Sequence, residues 1–375
     1  MKITDVRTYS AHANWRSYIF VELLTDEGLT GIGEATLANN RHAVLGAIED
    51  LRRYFIGQDP FDTEKIWRGM HRGPFWRGGA IFTTAISAVD QALWDIIGKS
   101  LKTPVYRLVG GRYHDSIRLY ANGWFSGLGA PKQFARAALR TVRLGFNALK
   151  FDPFGTSDMT IDQRTERNAI NIVQTVREAV GSKIDLLIEA HGRFTPRVAI
   201  RIGKKLERFD PFWFEEPVPP EDIDGLLSVS KQVNIPVASG ERLFTRLDYW
   251  NLIEKRAADI IQPDVCHVGG ISEIRKVAAM AETKNMLVAP HNSNGAVSTA
   301  ASTHVLTATP NAMILEFWVD VPWRASMVVG GERVSNGRIT PSNKPGLGVE
   351  LNYEEIKRHP PEEVHIDFFK KYKYH

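Results

Sequence analysis

From Ser116 onward the sequence repeats one pattern eight times, a short apolar run followed by a stretch with the periodicity of an amphipathic helix. The runs are Ile117 to Ala121, Ala148 to Phe151, Ile184 to Ile188, Phe212 to Phe214, Pro236 to Ala238, Asp259 to Ile261, Met286 to Ala289 and Met313 to Leu315. Between them helices are expected over Glu166 to Val180, Pro196 to Phe209 with Thr195 as its cap, Arg246 to Arg256 and Ile271 to Lys284. Strands separated by helices pair in parallel through right-handed crossovers, and eight such units match an α/β fold of the closed (β/α)8 TIM-barrel type. An open doubly wound sheet is the alternative that the number of units alone leaves standing.

Before residue 112 the pattern is different. Ile3 to Tyr9, Tyr18 to Leu24 and Leu29 to Glu34 read as strands, the last two joined by the turn Thr25-Asp26-Glu27-Gly28, and helical patterns follow over Ala43 to Phe55, Asp62 to His71 and Ala80 to Gly98. The chain therefore divides into an α+β capping domain over residues 1–112, a barrel over 113–330, and a closing segment over 331–375 that is expected to return to the cap. Composition narrows the function by exclusion. Lys and Arg number 47 against 43 Asp and Glu, a surplus of +4 in 375 residues that is too dilute for a nucleic-acid surface. The two densest basic runs, Arg201 to Arg208 and Lys370 to Lys373, read as a solvated helix face and a tail. Cys266 is the single cysteine, so no intrachain disulfide forms, and no run approaches the roughly 18 to 20 apolar residues of a membrane span. The N-terminal residues lack an apolar signal core and alternate like a strand, so a cytoplasmic location is expected. Gly28, Gly31 and Gly33 look like a nucleotide loop but sit in a hairpin with no helix after them.

The chemistry collects at the C-terminal ends of the apolar runs. Six in succession end in an ionisable residue, Glu189, Glu215, Glu241, Asp264, His291 and Glu316, at separations of 26, 26, 23, 27 and 25 residues. In a barrel those ends form the rim where active sites assemble, so regular spacing along the chain becomes convergence in space. Three carboxylates on adjacent strands cannot all ionise at close range without a cation between them. Oxygen ligands alone favour Mg²⁺, or Mn²⁺, over Zn²⁺. Asp264 can hydrogen-bond His291, fixing its tautomer and raising its basicity. Lys150 ends the second run, and His191 follows Glu189 by two residues toward the same mouth. A metal, a base, a lysine and a second histidine suit removal of a proton next to a carboxylate, where an enediolate must be stabilised.

These residues resemble the enolase superfamily, and within it the branch of mandelate racemase and the acid-sugar dehydratases. The likeness runs over nearly the whole chain, through SAVDQALWDIIGK, LVGG, YANGW, LKFDPFG, HGR, EEP, SGER, QPD, APHN and PGLGVE. It implies that Glu189, Glu215 and Glu241 bind Mg²⁺, that Asp264 and His291 form the basic dyad, that Glu316 hydrogen-bonds substrate and that His191 protonates a departing β-hydroxyl. The implied reaction is dehydration of an aldonate to its 2-keto-3-deoxy acid, with Lys150 and Asp152 at the substrate. Two positions depart from the branch. The first ligand is commonly Asp and here is Glu189, and racemases carry a second lysine where this chain has Asp152. The missing lysine weakens the competing readings, a racemase, epimerase or cycloisomerase; a barrel that binds a carboxylate without turnover is the reading from another class. The resemblance also implies a homo-oligomer, commonly an octamer in relatives, and a cap that sets substrate choice. Trp15 and Arg16 in the first loop are therefore expected to meet the distal hydroxyls, with Phe75 and Trp76 in a second aromatic loop.

Overall fold

A computed structural model describes residues 1–362. The basic run Lys370 to Lys373 lies outside the described residues. Strand β1 (Ile3–Ala13) pairs with β2 (Arg16–Thr25) along its length until Ala13 faces Arg16, and β3 (Thr30–Glu34) adds to β2. The first hairpin is longer than its apolar pattern suggests, because it turns only at Asn14 and Trp15. Asn14 takes φ 59°, a left-handed conformation that Asn tolerates better than most residues. Trp15 thus stands at a hairpin tip and Arg16 on the first rung of a strand, not in an open loop.

Helices α1 (Arg41–Leu51), α2 (Thr63–Arg72), α3 (Gly79–Ser100) and α4 (Val105–Leu108) complete the cap. By length and composition α3 could cross a membrane, yet 78% of its most apolar window is buried inside the protein. It lies directly against β3. A Cβ built on Gly31 would come within 2.2 Å of the Ala92 carbonyl, and one on Gly33 within 2.0 Å of the Ala88 carbonyl. The glycine pair that resembled a nucleotide loop serves this close approach of helix to sheet.

The barrel strands are β4 (Ile117–Asn122), β5 (Ala148–Phe151), β6 (Asp185–Glu189), β7 (Trp213–Glu215), β8 (Val237–Ser239), β9 (Ile260–Ile261), β10 (Leu287–Val288) and β11 (Leu315–Trp318). Each pairs in parallel with the next as far as β10, and β11 pairs in parallel with β4. The ring closes between β10 and β11 through Val288, whose N–H donates to Asn311 O and whose carbonyl accepts from Met313 N–H, both at 2.9 Å. Closure excludes the open sheet. Between the strands run α5 (Pro131–Arg143), α6 (Gln163–Val180), α7 (Pro196–Leu206), α8 (Ile223–Ser230), α9 (Thr245–Lys255), α10 (Gly270–Glu282) and α11 (Ala296–Thr307).

After β11 no barrel helix follows among the described residues. Strand β12 (Val328–Val329) leads into a hairpin of β13 (Arg333–Ser335) and β14 (Arg338–Thr340), which pairs antiparallel with the N-terminal end of β4. The chain then runs along the cap: Leu347 N–H donates to Asp95 at 2.7 Å, β15 (Glu350–Leu351) pairs with β12, and the Tyr353 hydroxyl of α12 (Tyr353–Arg358) donates to Glu22 at 2.6 Å.

Candidate active site

Tyr120, Ala148, Leu187, Trp213, Ala238, Ile260, Ala289 and Ile314, one from each strand position, fill the barrel interior as an apolar plug. Side chains on a strand return to the same face every two residues. Two residues further along each strand therefore stand Asn122, Lys150, Glu189, Glu215, Gly240, Gln262, His291 and Glu316. The polar ring is the next pleat above the plug, and β6 and β7 set Glu189 directly opposite Glu215. Gly240 leaves its place in the ring open because a Cβ there would come within 2.7 Å of the Tyr249 hydroxyl. Glu241, one residue later, takes part instead.

One oxygen from each of Glu189, Glu215 and Glu241 lies within 4.8 Å of the others. Lys150, fully buried, stands beneath them with Nζ 2.7 Å from Glu215, 3.2 Å from Glu189 and 3.2 Å from Glu316. Trp213 Nε1 donates to the other Glu215 oxygen at 2.8 Å, and Glu189 Oε1 accepts from His191 N–H at 2.6 Å. Glu189 Oε2 is buried and has no partner in hydrogen-bond geometry. Burial and then the adjacent Glu189 charge push Glu215 well above the usual carboxylate range. Glu189 goes the other way, since His191 and Lys150 outweigh its own burial. A buried all-oxygen cluster that cannot hold its full charge, with one oxygen that makes no hydrogen bond, fits a hard divalent cation.

His291 and His191 lie on the same cavity, of about 390 Å³, which Lys150, Glu241, Arg16 and Trp15 also line. His291 Nδ1 is 2.6 Å from Asp264, leaving Nε2 on the side of Glu241 and Glu316, at 3.5 and 3.7 Å. Burial alone would depress His291, but Glu241, Glu316 and Asp264 raise it to about 9. The exposed His191 has Nδ1 2.7 Å from Asp152 and a left-handed backbone, φ 49°. Its pKa also rises to about 9, raised by the Glu189 charge and by the Asp152 hydrogen bond and charge. Gly192 follows at φ 63°, where a Cβ would meet the Arg242 guanidinium at 2.1 Å. That arginine is held 2.5 Å from the buried Glu216.

Two expected substrate contacts are placed differently. Asp152 stands behind His191: its oxygens are taken by His191, Arg193 and the Phe154 N–H, so it orients the histidine. Glu316 has Oε1 bonded by Asn122 at 2.5 Å and Oε2 by Asn292 N–H at 2.8 Å, so it organises the ring. Arg16 reaches the cavity with one edge pinned by Ser293, at 2.8 Å to its carbonyl and 2.6 Å to its hydroxyl, and with its plane 3.6 Å from the Trp15 ring centre. Phe75 and Trp76 lie outside the cavity lining, exposed at a cap surface. Sequence reasoning passed over Asn122, His267, Asn294, Arg242 and Trp318. Of these, His267 stood closest to view, three residues after Asp264 in QPDVCH.

Residues 5–110 match the mandelate racemase / muconate lactonizing enzyme N-terminal domain, and residues 133–356 match the enolase C-terminal domain-like family. A D-gluconate/D-galactonate dehydratase of Picrophilus torridus is 38% identical over 348 residues, 92% of this chain and 89% of the relative. A D-galactonate dehydratase of Pectobacterium atrosepticum is 36% identical over 95% of this chain and 94% of its own length. Among solved structures, an enolase-superfamily member from Salmonella Typhimurium superposes with a TM-score of 0.90 at 33% identity, covering 96% of this chain and 98% of the other.

Proposed function

This chain belongs to the mandelate racemase/muconate lactonizing enzyme family of the enolase superfamily, and on that premise we propose that it is a magnesium-dependent hydro-lyase converting an aldonate to its 2-keto-3-deoxy acid. One observation carries the reading: two carboxylate-held histidines, His291 with Asp264 and His191 with Asp152, share a cavity with a three-glutamate cluster. Elimination of water needs a base at C2 and an acid at the C3 hydroxyl, and this pair supplies both.

Glu189, Glu215 and Glu241 would hold the cation, which when bound supplies the positive charge that stabilises an enediolate. In its neutral form His291 removes the C2 proton through Nε2 while Asp264 keeps the opposite nitrogen in place. His191 presents its other nitrogen to the C3 hydroxyl and protonates it as it leaves. Lys150 contributes through charge, since its ammonium is already shared among three carboxylates. The enol released from this step becomes the 2-keto acid by tautomerisation. The reading also carries the expectation of a cytoplasmic homo-oligomer, which light scattering of the purified protein would check.

A panel of six-carbon and five-carbon aldonates with Mg²⁺ should give a 2-keto-3-deoxy product from at least one member. EDTA should abolish it, and His291→Asn should lower kcat by about 10²–10⁴-fold. Activity that survives either treatment sinks the mechanism. Exchange of the C2 proton with solvent deuterium, with no loss of water, would identify a racemase or epimerase instead.

A further inference from the structure

We infer that His267 is a specificity-determining residue that reads the configuration at C4 of the substrate. The inference rests on the aldonate reading above and goes past it to a residue that takes no part in the proposed proton transfers. His267 is buried and lines the same cavity as His191 and His291. Its ring is held from the cap, with Nδ1 2.9 Å from the Thr84 hydroxyl on α3. The other nitrogen, Nε2, lies 3.6 Å from Asp264 Oδ2, beyond hydrogen-bond length.

Asp264 makes its hydrogen bonds without His267. Its Oδ1 accepts from Cys266 N–H at 2.7 Å, its Oδ2 is 2.6 Å from His291 Nδ1, and Asn294 Nδ2 is 3.1 and 2.9 Å from the two oxygens. His267 is therefore an anchored ring at the cavity wall with one nitrogen left for a ligand. Burial pulls its pKa below the usual value, so the ring is neutral near pH 7 and can donate to a hydroxyl or accept from one, according to tautomer. Arg16, the other polar group on the cap side, has already committed one edge to Ser293 and one face to Trp15.

The substrate's own chemistry says what such a nitrogen would distinguish. With the carboxylate end toward the glutamate cluster and C2 and C3 between the two histidines, C4 is the first carbon beyond the reacting pair. D-galactonate and D-gluconate have the same configuration at C2, C3 and C5 and differ at C4 alone. Any enzyme that prefers one must touch that position. A site that hydrogen-bonds a hydroxyl discriminates strongly against a substrate that leaves its polar group unpaired.

The test compares kcat/KM for the two C4 epimers, with Mg²⁺, in the wild-type enzyme, His267→Asn and Thr84→Val. The ratio of the two should change by about tenfold or more in His267→Asn, and by less but in the same direction in Thr84→Val, which loosens the ring without removing it. Mn²⁺ affinity measured by paramagnetic resonance should stay within about twofold of the wild type in both, because neither residue touches the three glutamates. A fall by one common factor on both epimers, the ratio unmoved, would overturn the inference and assign His267 to support of Asp264. Wild-type activity with an unmoved ratio defeats the inference alone. A wild-type enzyme that dehydrates no aldonate defeats the reading beneath it as well.

Discussion

Lys150 has three ammonium protons and three carboxylates within 3.2 Å, two of them in the cluster that would hold the metal. The resemblance places it at the substrate, and in the cavity wall its ammonium is shared among these carboxylates. A buried ion group is costly to assemble, but removing one partner costs more, since the remaining charges are left without compensation. Lys150→Met should therefore lower the unfolding free energy of metal-free enzyme by about 3–5 kcal/mol, and saturating Mg²⁺ should recover more stability in the variant than in the wild type. Urea unfolding with EDTA and then with Mg²⁺ measures both. An unchanged midpoint in EDTA would mean the carboxylates are protonated rather than neutralised by the lysine. The ring also marks what a sequence discloses at this scale. Its ionisable members were visible because they carry chemistry in phase with the strands. Asn122, Gly240 and Gln262 occupy equivalent ring positions and fell within quoted motifs yet received no role, because an amide or a glycine at a strand end carries no ionisable signal of its own.

Helix α11 begins without a side-chain cap of its own, at Gly295. Its free N–H groups are met from another domain. Glu34, at the end of cap strand β3, accepts from Gly295 N–H at 2.6 Å and from Ser298 N–H at 2.9 Å, while the Thr36 hydroxyl donates to it at 2.6 Å. The carboxylate fully buried there is raised by burial and lowered by those same donors, with the rise winning. No pattern in either segment announces this cap, because donors and acceptor are 261 residues apart. The hairpin tip was obscure for a related reason: β1 alternates weakly beyond Tyr9, so its continuation to Ala13 depends on pairing with β2 rather than on its own side chains. Glu34→Gln keeps the size of the side chain but turns one acceptor into a donor facing an N–H. It should cost about 1–3 kcal/mol in urea unfolding, and it should lower kcat because the loop from His291 to Gly295 loses its anchor. A loss below about 0.5 kcal/mol would show that water caps α11 equally well.

Across the whole molecule the cap and barrel are tied by buried hydrogen bonds rather than by a hinge. Trp67 Nε1 donates to Gly269 O at 2.9 Å, Gln91 Nε2 to Val265 O at 3.2 Å, and Ser272 N–H to Asp90 at 2.9 Å. The barrel itself was legible because eight repeats leave few topologies; how the cap sits on it was not, since that is decided by single polar contacts between distant segments. His304 joins three such segments. From α11 its Nδ1 accepts the Tyr106 N–H of α4 at 3.2 Å, and its Nε2 faces the Leu347 carbonyl of the closing segment at 3.0 Å. Only the neutral ring with its proton on Nε2 satisfies both, because a second proton on Nδ1 would point at an N–H donor. Burial accordingly depresses its pKa from 6.5 to about 4. A depressed histidine stabilises the fold fully above its unfolded value near 6.5, and that contribution is lost as pH falls toward 4, at up to about 1.4 kcal/mol per pH unit. His304→Gln should thus be less stable than wild type by about 2–3 kcal/mol at pH 7.5, and the gap should shrink as urea midpoints are followed down to pH 4.5, where wild type has lost what the variant never had. Carboxylates that titrate over the same range act on both proteins alike and cancel in the difference. A gap that stays constant with pH would mean that His304 holds the three segments through packing alone.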